Sequence, residues 1–328
     1  MTEKLYSKRH LMMGLVAVPF SFFMPIAQSR DDKFAFTPQS TIGDVLDEPL
    51  FAPFASYLLP LELLSPTRRL CSKERAIKLS NLSHLLPYNT HIDVQEACSI
   101  LNRLKQRSKS RQKIWIPLSH SDAGLLFYPC DKNAPFVLIA AGGGFAYVGS
   151  IHEGFPYAEA MNRHGFNAFV LQYRISGWGQ SAMSDMAEGL HYILTHADDL
   201  GVNPSVYALM GSSAGARMAA LMGKTGLSAW GYPRFPKATA VLMAYTGYDE
   251  VSRDDPPTFM VQGTADRIAP ITVVDRRMRS LEAMGIETKY MRFPGLPHGF
   301  GLGSQTTAQG WVDHAADFFR LQIKNSKQ

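Results

Sequence analysis

A serine between two glycines is the first feature of the sequence that indicates chemistry. The segment Gly211–Gly215 reads G-S-S-A-G, follows the apolar run Val206–Met210 and precedes a helical pattern. Glycines at its two ends allow a sharp strand-to-helix turn around Ser213, because larger side chains would collide there. Such a turn exposes the serine hydroxyl and places the N–H of Ala214 at a positively polarised helix N-terminus. The segment therefore predicts that Ser213 is a nucleophile.

Two further side chains that a serine nucleophile requires occur later in the chain. A serine hydroxyl is inert at neutral pH without a base, and the base needs an acid to orient it. Asp266 comes 53 residues after Ser213 and His298 comes 32 residues after Asp266, each in a loop just after a predicted strand. The competing acids and histidines lie inside predicted helices or before a strand. We therefore expect Asp266 and His298 to complete a catalytic triad with Ser213.

Three consecutive glycines supply the next element that acyl transfer requires. Gly142, Gly143 and Gly144 follow the apolar run 136–140, and backbone without side chains can turn its N–H groups towards a substrate. No G-x-G-x-x-G follows and no Lys-Ser/Thr pair closes a P-loop, so a phosphate-binding loop is not indicated. We expect Gly143, Gly144 and Ala214 to donate hydrogen bonds to the oxyanion of a tetrahedral intermediate.

Aromatic residues lie close in sequence to these loops. Phe145 and Tyr147 follow the glycines directly, and Trp178 and Phe300 are near other loops of the predicted site. We expect Phe145 and Tyr147 to bind substrate, and ordinary packing is an equally good interpretation of all four.

The elements that must position these residues alternate between apolar runs and helical patterns. Eight runs are predicted strands: 114–118, 125–128, 136–140, 168–173, 206–210, 240–244, 258–261 and 289–293. Five helical patterns accompany them: 153–164, 182–199, 214–223, 272–284 and 307–324. Continuous apolar strands between helices predict an α/β fold, a mostly parallel eight-stranded sheet with helices on both faces. Ligands of such sheets bind beyond the carboxyl ends of the strands, which is where the three triad residues fall.

The region before this pattern has a different composition. Residues 38–113 contain no glycine after Gly43, and prolines divide their leucine-rich helical pattern into short pieces. We interpret the region as an N-terminal helical cap or brace, with a substrate lid as the alternative. The predicted division of the chain is a signal peptide over 1–29, an extension and helical cap over 30–113, a catalytic domain over 114–324 and a tail over 325–328.

The first 29 residues have the features of an export signal. Lys4, Lys8 and Arg9 precede the uncharged apolar run 11–27, which two prolines interrupt. A membrane-spanning helix needs about 20 apolar residues, so this run is short for a span and typical of a signal peptide. We predict a periplasmic or secreted protein that contacts the membrane only transiently, with inner-membrane anchoring by an uncleaved signal as the alternative.

Composition and charge exclude several other classes of protein. With 46% apolar and 19% charged residues, the 328-residue chain is not a disordered protein, a collagen or a coiled coil. Three cysteines without a C-x-x-C pair indicate buried free thiols rather than a metal site, and triad chemistry needs no metal or cofactor.

The net charge of +5 is concentrated in 68–113. Because no aromatic residue interleaves the basic run 103–113, we expect a solvated helix end and linker rather than nucleic-acid binding.

Taken together, these motifs resemble those of the α/β-hydrolase superfamily, and most closely those of its hormone-sensitive-lipase-like and acetyl-xylan-esterase-like serine esterases. The resemblance spans about residues 114–324 and rests on the glycine loop and on four segments, 167–174, 211–215, 263–266 and 297–299. It implies Ser213 as nucleophile, His298 as base and Asp266 as its orienting acid.

The resemblance also implies an activity. A protein of this kind hydrolyses carboxylic esters, here expected to be small-molecule or carbohydrate esters with short acyl chains, through an acyl-enzyme and without a cofactor. A serine peptidase of the same fold and a non-catalytic ligand-binding protein remain the alternatives.

Three positions depart from the lipase-like pattern. That branch usually carries a histidine before its glycines, where this chain has Ala141, and an aspartate before the nucleophile, where it has Ser212. That branch usually has two glycines after the residue that follows the nucleophile, where this chain has Gly215 and Ala216. The bonds with which the missing histidine would brace the glycine loop are therefore not expected.

Overall fold

A single twisted sheet organises the computed structural model, which describes residues 35–110, 114–119 and 122–326. Its eight strands are β1 (Trp115–Pro117), β2 (Gly124–Tyr128), β3 (Ala134–Ala140), β4 (Asn167–Gln172), β5 (Val202–Ser212), β6 (Ala240–Ala244), β7 (Thr258–Gly263) and β8 (Thr288–Phe293). They lie in the order β1-β2-β4-β3-β5-β6-β7-β8. The pairs β1–β2 and β2–β4 are antiparallel and every other pair is parallel. The predicted fold class is confirmed.

The helices of the described residues cover both faces of this sheet. They are α1 (Ile42–Leu46), α2 (Ser72–Arg75), α3 (Val94–Lys109), α4 (Ser150–Glu153), α5 (Phe155–Arg163), α6 (Gln180–Thr195), α7 (Ala197–Leu200), α8 (Ala214–Thr225), α9 (Ile271–Ala283) and α10 (Trp311–Asn325). Side chains alternate along each strand, so Val137 and Ile139 of β3 join the core beneath α3, α5 and α10. Phe136 and Leu138 point to the opposite face, where they join the core beneath α6, α8 and α9.

The N-terminal region, residues 36–110, belongs to the same compact unit as the sheet. That unit spans Phe36–Gln328. Before α3, prolines limit the helices of the N-terminal region to short pieces, including four 3-10 helices at Pro49–Phe51, Ala55–Tyr57, Leu61–Leu63 and Leu79–Leu85. Its leucines share one apolar core with α5, α10 and the strands. The basic end of α3 is held by ion pairs of Arg103 with Glu159 and of Lys105 with Glu48, so those charges are partly neutralised. The boundary at residue 113 stays a prediction.

Other expectations concern the termini and the thiols. The predicted signal peptide, 1–29, lies outside the described residues, and export stays a prediction. None of the helices that the structure describes has the length and apolar character needed to cross a membrane. Cys71, Cys98 and Cys130 are unpaired, but only Cys98 is buried. Cys71 precedes the surface helix α2 and Cys130 follows β2 in a loop, so the expectation that all three are buried is wrong.

Candidate active site

Ser213 occupies a strained turn between the longest central strand and a helix. β5 ends at Ser212, α8 begins at Ala214, and Ser213 between them has φ 48° and ψ −115°. Only glycine fits at the two ends of the turn. A Cβ on Gly211 would meet the backbone of Gly215, and a Cβ on Gly215 would meet the carbonyl oxygen of Ala140. Such backbone strain is concentrated at functional sites, and here it presents the hydroxyl at the carboxyl edge of the sheet.

The three residues expected to act together lie within hydrogen-bond distance of one another. The Oγ of Ser213 is 2.9 Å from Nε2 of His298, and Nδ1 of His298 is 2.7 Å from Oδ2 of Asp266. Loops after β7 and β8 bring Asp266 and His298 to the end of β5, because these parallel strands all end at one edge. With Nδ1 donating to the carboxylate, Nε2 is free to accept the serine proton.

Asp266 is held as an ionised acceptor. Its Oδ1 accepts the N–H groups of Ile268 and Ala269, both at 2.8 Å, and its Oδ2 also accepts Nε2 of Gln262 at 2.9 Å. Burial raises the pKa of this carboxyl, but the hydrogen bond and charge of His298 and the two backbone N–H groups outweigh burial. The pKa of Asp266 is therefore held below its usual value.

The loop that carries His298 is fastened from two other parts of the chain. The Thr90 hydroxyl donates to the carbonyl oxygen of His298 at 2.6 Å, and the Thr90 N–H donates to that of Gly299 at 2.8 Å. Nε2 of His152 lies 3.0 Å from the same Gly299 oxygen. Burial lowers the pKa of His152, and the neighbouring Glu153 charge opposes this only partly, so the ring is neutral at pH 7.

The glycine loop lies beside Ser213 and contains backbone N–H groups that have no hydrogen-bond partner among the described residues. Gly143 has φ 134° and Gly144 has φ 61°, both in the region that favours glycine. Within residues 35–110, 114–119 and 122–326, the N–H groups of these two glycines make no hydrogen bond to protein, and that of Ala214 is the first of α8. The loop thus offers backbone donors of the kind that stabilise an oxyanion.

An open cleft of about 270 Å³ lies over Ser213 and His298. Gly144, Phe145, Ser213 and His298 are among its lining residues, together with Arg217, Tyr248 and Ile268. Tyr147 differs from the expectation for it, because it is fully buried and is not among the residues that line the cleft. Its ring stacks under Tyr88. Trp178 is fully exposed, and Phe300 is buried against Tyr245.

Comparison with known proteins gives the same fold. A solved α/β hydrolase from a Medee basin deep-sea metagenome library, MGS-M1, superimposes with a TM-score of 0.57 at 22% identity, covering 64% of this chain and 97% of that one. A family model described as BD-FAE matches residues 126–229, from β2 to just beyond α8. The chain has the α/β-hydrolase fold. The expected resemblance to the hormone-sensitive-lipase-like and acetyl-xylan-esterase-like branch is confirmed.

Two curated relatives of this chain are named as esterases. An acetylxylan esterase from Xylanibacter ruminicola is 23% identical over 223 residues, which is 57% of this chain and 46% of that protein. Esterase LipC from Mycobacterium tuberculosis is 21% identical over 246 residues, 60% of each chain. The chain thus spans about half the length of the curated relatives it matches.

A second buried carboxylate lies behind the glycine loop of this chain, and sequence reasoning missed it. Glu153 at the end of α4 is 1% exposed. Its Oε2 accepts the Gly142 N–H at 2.8 Å and the Ser212 hydroxyl at 2.6 Å. Its Oε1 accepts the Tyr245 hydroxyl at 2.9 Å and an N–H of Asn89. The glycine loop is therefore braced, by a carboxylate rather than by a histidine. A lone acid in the apolar segment just after the glycines is the signal that could have found it.

Proposed function

We propose that this α/β hydrolase cleaves carboxylic esters through an acyl-enzyme on Ser213. The observation that carries the proposal is the continuous hydrogen-bonded series from Ser213 Oγ through His298 to Asp266, at 2.9 and 2.7 Å, at the rim of an open cleft. Nucleophile, base and orienting acid in this arrangement are what acyl transfer to a serine requires. The names of the two curated relatives support the same class of reaction.

The reaction follows from the geometry in two steps. As Ser213 Oγ attacks the ester carbonyl carbon, its proton passes to Nε2 of His298, and the ionised Asp266 stabilises the resulting imidazolium. The carbonyl oxygen becomes an oxyanion, held by the N–H groups of Gly143, Gly144 and Ala214. The C–O bond to the alcohol then breaks, and the alcohol leaves with the proton from His298. Water repeats the sequence on the acyl-enzyme, releases the acid and restores Ser213.

The proposed substrates are esters of short acyl chains on a small-molecule or carbohydrate alcohol. The cleft is open and of modest size, and Phe145 and Ile268 give it apolar walls. One curated relative is named for acetyl groups on xylan, which supports a short acyl chain. The proposal requires no metal ion or cofactor, since serine, histidine and backbone donors supply every step.

The test is the Ser213→Ala variant, compared with the unaltered protein on p-nitrophenyl esters from C2 to C12. We expect kcat to fall by about 10⁴- to 10⁶-fold on the preferred ester, because the nucleophile is removed, with an unchanged thermal transition. A fluorophosphonate should add to Ser213 of the unaltered protein, as read by peptide mass, and not to the variant. A variant that keeps near-native turnover contradicts the proposal.

The same experiment separates the two rival functions. A serine peptidase of this fold would cleave peptide p-nitroanilides, which an esterase would leave intact, and a binding protein would react with no fluorophosphonate. Preference for the C2 and C4 esters over both the longer esters and the anilides is the expected result.

A further inference from the structure

We propose that Glu153 is a positioning residue that fixes the glycine loop against the nucleophile turn, and that Asn89 of the N-terminal region anchors it there. The inference rests on the proposed ester hydrolysis and adds two residues to it, neither of which touches substrate.

The hydrogen bonds of Glu153 occupy both of its carboxyl oxygens. Four donors converge on its two oxygens, two to each: the Gly142 N–H, the Ser212 hydroxyl, the Tyr245 hydroxyl and the Asn89 amide. Each oxygen thus faces one N–H group that can only donate, that of Gly142 at Oε2 and that of the Asn89 side chain at Oε1. Burial raises the pKa of Tyr245 well above its usual range, so that hydroxyl keeps the proton that it donates.

No cation pairs with this buried carboxyl group within the described residues, since Glu153 takes part in none of their ion pairs. Its compensation comes from dipoles alone. An apolar side chain of similar volume would fill this space without the desolvation cost of a buried charge. What the carboxylate adds is a fixed relative position of four segments, because a donor from each must meet its two oxygens.

Each of the four segments belongs to the proposed machinery or adjoins it. Gly142 begins the glycine loop, whose return is closed by the Gly149 N–H donating to the Gly142 carbonyl. Ser212 immediately precedes the nucleophile. Tyr245 packs edge-on against the His298 ring, at 5.1 Å between centroids, and its oxygen also accepts the Gly301 N–H at 3.2 Å. Its φ of 37° is strained for a bulky residue, and that strain turns the ring under the site.

Asn89 connects the N-terminal region to the same point. Its side-chain Nδ2 donates to Glu153, and its side-chain Oδ1 accepts the Tyr147 hydroxyl at 2.6 Å. The Tyr147 oxygen accepts the Tyr88 N–H in turn, at 3.2 Å. The buried Tyr147 therefore links the glycine loop to Asn89 rather than to substrate. The N-terminal region therefore braces the glycine loop.

Displacing a catalytic group by about 1 Å can reduce turnover 100-fold, and one lost oxyanion donor costs about 10²- to 10³-fold. In Glu153→Gln, one end of the amide presents N–H groups where two donors now converge, so the four-way contact cannot be kept. We expect kcat per active site to fall by about 10- to 100-fold on p-nitrophenyl acetate, with KM within about 3-fold. Asn89→Ala removes one donor of four, and we expect a fall of about 3- to 10-fold.

The experiment counts active sites by fluorophosphonate titration of the full chain and measures turnover per titrated site well below the melting temperature. Phenylboronic acid, which forms a tetrahedral adduct with a serine, should bind more weakly by the same factor as kcat falls. The matched control is Asn167→Ala, another buried polar side chain that accepts a backbone N–H (Cys130, 2.7 Å) but lies at the amino end of β4. It should lower the melting temperature without changing turnover per titrated site.

Native turnover per site and native boronate affinity in Glu153→Gln, with a lower melting temperature, would reduce Glu153 to a structural residue and overturn the inference. If Glu153→Gln does not fold, Asn89→Ala decides, and native turnover in that variant overturns the inference. Failure of the proposed function looks different. There the fluorophosphonate does not label Ser213 of the unaltered protein, or Ser213→Ala stays active.

Discussion

Two buried carboxylates flank Ser213, and they differ in how the chain builds their surroundings. Asp266, on the side of the base, is 7% exposed, and Glu153, on the side of the glycine loop, is 1% exposed. Each accepts four hydrogen bonds. Three of the donors to Asp266 lie within four residues of it, at Gln262, Ile268 and Ala269. The donors to Glu153 lie 11, 59, 64 and 92 residues away.

This difference explains why one carboxylate could be predicted and the other could not. The loop of Asp266 is local, so the strand, the turn and the acid occur together in the sequence. The position of Glu153 depends on where four separate segments meet, and the fold alone decides that. A side chain that acts through long-range contacts leaves little pattern in its own neighbourhood.

The largest effect expected on the base side is that of Asp266→Asn. An amide N–H facing Nδ1 of His298 would move the imidazole proton to Nε2, which could then no longer accept the proton of Ser213. We expect kcat for p-nitrophenyl acetate to fall by about 10⁴-fold, well beyond the fall expected for Glu153→Gln. Asp255→Asn, which breaks the buried ion pair with Arg277 at the other end of β7, is the control. It should cost stability and leave kcat within about 3-fold. Equal losses in Asp266→Asn and Glu153→Gln would remove the distinction between the two sides.

Acid should weaken the fold through the residue next to Glu153. The pKa of His152 is lower in the folded protein than its ordinary value of about 6.5, because burial disfavours its charged form. The unfolded chain therefore binds the proton more tightly. The stability that neutral His152 contributes is present above pH 6.5 and is lost as the pH falls towards the folded-state pKa. The slope approaches one proton, about 1.4 kcal/mol per pH unit.

His152→Gln tests this directly, because the amide keeps an N–H for the Gly299 carbonyl and does not titrate. Urea unfolding between pH 7.5 and 5 should show a shallower loss of unfolding free energy in the variant, by up to one proton. Parallel curves for the two proteins would contradict the assignment of this loss to His152. The measurement sharpens the comparison, since Asp266 titrates far below this range and its contribution is constant there.

Most of the sheet could be predicted because short continuous apolar runs between helical patterns are typical of buried parallel strands. β6 has the predicted bounds. β5 is longer than predicted at both ends, because Val202, beyond a polar stretch, pairs with Ala134 of β3, and Gly211 and Ser212 pair with β6. The helix predicted over 153–164 is instead two helices that meet at Gly154. That break ends α4 at Glu153 and leaves its side chain in the interior, which a periodic pattern does not reveal.

The N-terminal region was the least predictable part of the chain. Leucines at helical spacing indicated helices, but frequent prolines reduce them to single turns whose positions depend on packing against α3 and the sheet. The approach of Asn89 and Thr90 to the site has no local signature. Tyr147 was expected at the cleft because of its place in the sequence, yet its hydroxyl bonds Asn89 in the interior.

Asn89 and Thr90 are neighbours that serve opposite sides of the site, so they offer the finest test of the comparison. Thr90→Val keeps the shape of the side chain and removes the hydroxyl that donates to the His298 carbonyl. We expect a loss of about 1 kcal/mol in unfolding free energy and a change in kcat of less than about 3-fold, since backbone bonds still hold the His298 loop. Thr67→Val, an exposed threonine of the same region, should change neither quantity. A fall in kcat above 10-fold in Thr90→Val, larger than in Asn89→Ala, would contradict this expectation. It would mean that the segment of Asn89 and Thr90 acts by positioning His298 rather than the oxyanion donors.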